Sequence, residues 1–124
     1  MIQYFDNQDK RHWNWRAVQI WQILISKAAN KQLITYGELA EIMGFQGSTV
    51  LAHPLGHIMV YCEANELPPL TSLVINQGGS PGDGLSTLKN YESNDAARME
   101  VFKTEWYKII PPSANDYKDI CNEF

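Results

Sequence analysis

Lysine and arginine are missing from Gln32 to Leu88, a run of 57 of the 124 residues. The same run carries Glu38, Glu41, Glu63, Glu66 and Asp83, a local charge of −5 by counting. The whole chain has a net charge of −4 and a pI near 5.2, so its overall charge provides no attraction to nucleic acid or an anionic membrane surface. Cysteine is scarce as well. Cys62 and Cys121 form neither a metal-binding nor a redox spacing, and two cysteines at this size do not read as a disulfide scaffold. No apolar run approaches membrane-spanning length, and MIQYFDNQDKRHW is too polar to supply the apolar centre of a signal peptide. Internal repeats and low-complexity tracts are absent too. These absences predict a soluble cytoplasmic protein with no membrane partner.

What is present reads as globular. Hydrophobic residues make up 44% and charged residues 19%, and the length suits a single domain, 1–124, with a buried core. Trp13, Ala17, Ile20, Trp21, Leu24 and Ala28 fall at spacings of three and four. They predict a helix, capped by Asp9, that runs to about Asn30. Trp15, Val18 and Ile25 widen the apolar stripe. Three tryptophans on one helix point either to the core or to a homodimer contact through that helix.

Thr35 followed by Glu38 is a capping box, and it predicts a short helix, Tyr36 to Met43, stopped by Gly44. That helix is expected to bury Leu39, Ala40 and either Ile42 or Met43. Phe45 to Gly47 form a turn. Ser48 is an N-cap candidate for a third helix reaching about Ala64, but Pro54 predicts an irregular first turn or a start nearer Ala52. SLVIN (72–76) reads as a strand, Gln77 to Ser86 as a loop or wing, and Asn94 to Lys108 as an amphipathic helix with Ala97, Val101, Phe102, Glu105 and Trp106 on its inner face and edge. Pro111 and Pro112 should end it. A short helix follows near Ala114 to Asn122. The fold class is α-rich α+β.

The residues Thr35-Tyr36-Gly37-Glu38-Leu39-Ala40, Gly44, Ala52-His53-Pro54-Leu55-Gly56, Leu67-Pro68-Pro69 and Val74-Ile75-Asn76 stand in a known order. Over 33–86 they resemble the winged-helix domain of the O6-alkylguanine-DNA alkyltransferase and alkyltransferase-like family. The resemblance implies a winged-helix-like, helix-turn-helix core with an added N-terminal helix and a C-terminal extension. It also implies where the sequence departs from the family. The nucleophilic cysteine falls on Leu70 or Thr71, and the arginine that fills the space of a flipped base falls on His53. Tyr36 matches the tyrosine that touches the DNA backbone. Alkyl transfer requires an activated thiolate, and with no thiol at that position the activity is rejected.

The expected function is therefore a non-catalytic binding module. In the leading version it contacts DNA through uncharged donors: Tyr36, Gln46, Ser48, Thr49, His53 and His57. Lys10, Arg11, Lys31 or Lys89 would help from the flanks. In the alternative, a protein-interaction or adaptor module has kept the fold and lost DNA binding. His53-x3-His57 has a spacing that suits zinc, but no third ligand stands out, so neither metal nor cofactor is expected. Gly79-x4-Gly84-Leu85-Ser86 misses a phosphate-binding loop, because leucine stands where lysine is required. No catalytic constellation can be assembled.

Overall fold

A computed structural model of the chain describes residues 2, 4, 5, 12–76 and 93–120. The Asp9 cap, the 77–86 wing and Cys121 lie outside these residues. Five α-helices and one two-stranded sheet organise the described chain: α1 (Trp13–Ala29), β1 (Ile34–Thr35), α2 (Tyr36–Met43), α3 (Ala52–Ala64), β2 (Val74–Ile75), α4 (Asn94–Lys103) and α5 (Ala114–Ile120).

Helix α1 is the centre. Its three-four spacing places Ala17, Ile20, Trp21, Leu24, Ile25 and Ala28 on the buried side. They meet α3, α5 and the 3-10 turn Leu70–Leu73. Trp21 stands edge-on to both Tyr61 and Trp106, with ring centroids 5.7 and 5.5 Å away. The Trp106 Nε1–H donates to the Val101 carbonyl at 2.7 Å, so the ring's polar group is satisfied inside the core. The three α1 tryptophans therefore do not share one face. Trp21 is core, Trp13 is half-buried, and Trp15 is 54% exposed rather than part of the buried stripe.

The capping box that opens α2 is realised reciprocally. The Glu38 N–H donates to Thr35 Oγ1 at 3.0 Å, and the Thr35 N–H donates to Glu38 Oε1 at 3.1 Å. That acceptor role holds the Glu38 carboxyl below the usual carboxylate range. Leu39 and Ala40 are buried, and Met43 packs against the core. Gly44 ends the helix at φ +77°, a left-handed conformation that costs a side-chain-bearing residue strain.

The approach to α3 is irregular, as Pro54 requires. Thr49–Leu51 form a 3-10 turn, and α3 proper begins at Ala52, which keeps Pro54 in its first turn. The Ser48 side chain makes no cap bond.

Two other segments differ from expectation. The strand predicted over 72–76 is only Val74–Ile75, because Leu70–Leu73 close a buried 3-10 turn first. Its partner is β1, in parallel register Ile34↔Val74 and Thr35↔Ile75. The helix predicted to reach Lys108 stops at Lys103. Thr104 turns extended, and a second 3-10 turn, Trp106–Lys108, swings the Trp106 indole into the core and leaves Glu105 exposed. Helix α5 carries its own capping box, Ser113 with Asp116, and is tied to α1 by Asn14 Nδ2 donating to the Ala114 carbonyl at 3.1 Å.

Among the described residues, no helix is long and apolar enough to cross a membrane.

Candidate nucleic-acid interface

One side chain that the sequence did not single out ties the end of α2 to α1. Arg16 donates from Nη2 to the Met43 carbonyl, one of the orphan acceptors at the end of α2. Its guanidinium lies between the rings of Phe5 and Phe45, 4.6 Å from each centroid. Partial burial lowers the Arg16 pKa from its ordinary value. The cation is thus committed to positioning the turn. No local pattern in the sequence announces this role, because its partners, Phe5 on one side and Met43 with Phe45 on the other, are distant from it in sequence.

The six candidate contact residues fall into three environments. Gln46, Ser48 and Thr49 are exposed at the turn and at the start of α3. Tyr36 is half-buried against the core. The two histidines are drawn into tertiary contacts. The His53 ring stacks on Trp13, with centroids 4.9 Å apart and 9° between planes. His57 has its Nδ1 2.8 Å from the His53 carbonyl oxygen and its ring edge-on to Tyr117 of α5, at 6.3 Å. The imidazoles therefore pack on different elements. Among the described residues, no group of three or more His, Cys, Asp or Glu side chains comes together to hold a metal.

The electrostatics of this surface are finer-grained than the −5 of the surrounding run. From Ile42 to Cys62 the sequence has no Asp, Glu, Lys or Arg. The exposed carboxylates Glu38, Glu41, Glu63 and Glu66 flank that stretch on both sides. The outward start of α3 presents an exposed Ala52, and a methyl group added at Gly47 or Gly56 would meet nothing within 4 Å. The surface is small-featured, uncharged and donor-bearing. No side-chain cap bond closes the 3-10 turn, and the Leu51 N–H donates to the Ser48 carbonyl at 3.0 Å.

Leu70 and Thr71, where the resemblance would put a nucleophile, lie inside the protein. Leu70 is fully buried and Thr71 is 6% exposed. The one described cysteine, Cys62, is separated from Leu70 in sequence but meets it in space: its sulfur takes a hydrogen bond from the Leu70 backbone. Burial outweighs that bond and pushes the thiol up to about 12. A thiol in that state is not a nucleophile at neutral pH.

No family model, curated protein or solved structure matches the chain.

Proposed function

We propose that this chain is a non-catalytic, winged-helix-like binding module of the alkyltransferase-like type that acts in the cytoplasm and contacts duplex DNA through the start of α3. The observation that carries the reading is the uncharged outward surface formed by Gln46, Ser48, Thr49 and Ala52 between the two acidic flanks. Small side chains let a helix approach a groove closely. Hydroxyl and amide donors suit phosphate and base-edge acceptors. His53 adds one ring edge, and its stack on Trp13 fixes the ring before any ligand arrives.

Without arginine or lysine in the contact, affinity is modest, because phosphate neutralisation supplies most nonspecific binding. The resemblance of residues 33–86 to the alkyltransferase-like domain supports the same reading. So does the inert Cys62, which leaves binding without chemistry. The test is Ala52→Glu. This exposed substitution puts a carboxylate at the contact, and it should abolish duplex binding while leaving the melting temperature nearly unchanged. Equal binding by the variant would remove α3 from the interface.

A second reading, a protein-interaction module, rests on the exposed carboxylates Glu38, Glu41, Glu63 and Glu66 and on the 60% exposed Ile42. It predicts that no duplex is retained at any salt concentration.

A further inference from the structure

The His53 ring is engaged on one side. Trp13 covers that side in a near-parallel stack, with 4.9 Å between centroids and 9° between planes, yet His53 remains an exposed residue at the start of α3. Its link to His57 uses the backbone carbonyl rather than the ring. Trp13 is half-buried and has Phe45 edge-on to it at 6.1 Å, and Phe45 in turn carries the Arg16 guanidinium at 4.6 Å. Groups from α1 and from the α2–α3 turn thus build a layered support whose outermost ring is an imidazole.

A ring face of this kind has little to take from an intact duplex. Paired bases stack on one another and offer only their edges in the grooves. An unpaired base offers its π-face, and stacking on a side-chain ring is worth roughly five- to a hundredfold in affinity per base. The charge pattern argues in the same direction. From Ile42 to Cys62 there is no Lys or Arg to neutralise phosphate, so the usual nonspecific term is small and base contacts weigh more. Taking a base out of the stack is costly, and the cost is least for a base that is already unpaired.

Given the DNA contact proposed above, on which this rests, we infer that the ligand is DNA carrying an unpaired base, and that this base stacks on the open face of His53. Trp13 holds the imidazole in place, so the ring's freedom is lost before binding rather than during it. Exposed donors border the platform. Gln46 follows Phe45 directly, and Thr49 precedes His53 by four residues. An amide and a hydroxyl suit the hydrogen-bonding edge that a splayed base presents and that a paired base uses internally. Every base has a π-face, so the preference is for the unpaired state more than for sequence.

The experiment is fluorescence anisotropy of the full chain at one low salt concentration with three labelled duplexes of the same sequence. The first is fully paired, the second has one central bulged base, and the third has an abasic residue as the bulge. The bulged base should bind at least about fivefold tighter than the paired duplex, and the abasic bulge should bind like the paired one. His53→Ala should bring the bulged base down to the paired level. His53→Phe, which keeps a ring face, should retain the preference. Equal affinity for the paired and bulged duplexes, equal affinity for the two bulges, or a preference that survives His53→Ala would each overturn the inference. Binding of none of the three would remove the DNA reading and this inference with it, whereas saturable but equal binding removes the inference alone.

Discussion

Cys62 offers the sharpest test of the proposal that the protein binds without reacting. Its thiol is 1% exposed and lies against the Leu70 backbone. Burial moves its pKa from an ordinary 9.0 to about 12. At pH 7.5 that change lowers the thiolate population about a thousandfold, because each pKa unit is a factor of ten. Only the thiolate attacks, so the native protein should react with a thiol reagent at least about a thousandfold more slowly than the same chain in urea. Steric exclusion slows it further. The assay is the absorbance change on adding a disulfide reagent to the Cys121→Ser variant, with and without urea, followed by mass spectrometry after incubation with duplex containing O6-alkylguanine. The expected outcome is a slow native reaction and no alkyl adduct. Native labelling within tenfold of the unfolded rate, or stoichiometric alkylation of Cys62, would refute the argument that burial silences this thiol.

Other consequences follow from named residues. The Cys62 and Tyr61 pKa values are both raised by burial, so their contribution to stability is fully present below the unfolded values and is lost as pH rises through the folded ones; the urea midpoint should fall from about pH 9 upward, and a flat midpoint to pH 10.5 would contradict this. Thr35→Ala removes the α2 cap and should cost about 1–2 kcal/mol in urea unfolding, with no change in slope. Gly44→Ala meets no atom within 4 Å, so its cost of about 1 kcal/mol would come from the positive φ alone, while Gly56→Ala, in mid-helix with the same free space, should stabilise by about 0.5–1 kcal/mol. Thermal melts of that pair separate backbone strain from crowding. Trp21→Ala should cost about 3–5 kcal/mol, because the ring is 1% exposed and contacts both Tyr61 and Trp106.

The elements legible in the sequence were those written in local chemistry. Thr35 with Glu38, then Gly44, specify α2 within nine residues of one another, and both capping bonds form. The three-four spacing of Ala17, Ile20, Trp21, Leu24 and Ala28 selects the buried side of α1. Pro54 gave the irregular start of α3 for a steric reason that holds in any context.

What escaped was decided by tertiary contacts. Trp15 obeys the same apolar logic as Trp21, yet no element among the described residues covers it. Strands of two residues are too short to show alternation, and their parallel pairing joins segments on either side of two helices. Thr104 ends α4 because Trp106 is drawn into the core, an outcome no local stop signal marks. At the candidate site, Gln46, Ser48 and Thr49 stand exposed, as their polarity suggested. His53 and His57 do not share an open face, because Trp13 and Tyr117 claim their rings from α1 and α5. Arg16 and the contact between Cys62 and Leu70 belong to the same class, since each joins residues that are distant in sequence.

The measurement that bears most directly on the central claim is fluorescence anisotropy of a labelled duplex titrated with the purified chain, from low to near-physiological salt. The account predicts saturable binding at low salt that weakens as salt rises. The flanking cations are Lys10, Arg11, Lys31 and Lys89, so the log–log slope should be about −1 to −4. No saturable binding at the lowest salt would contradict the account and leave the acidic, fold-conserving adaptor in its place.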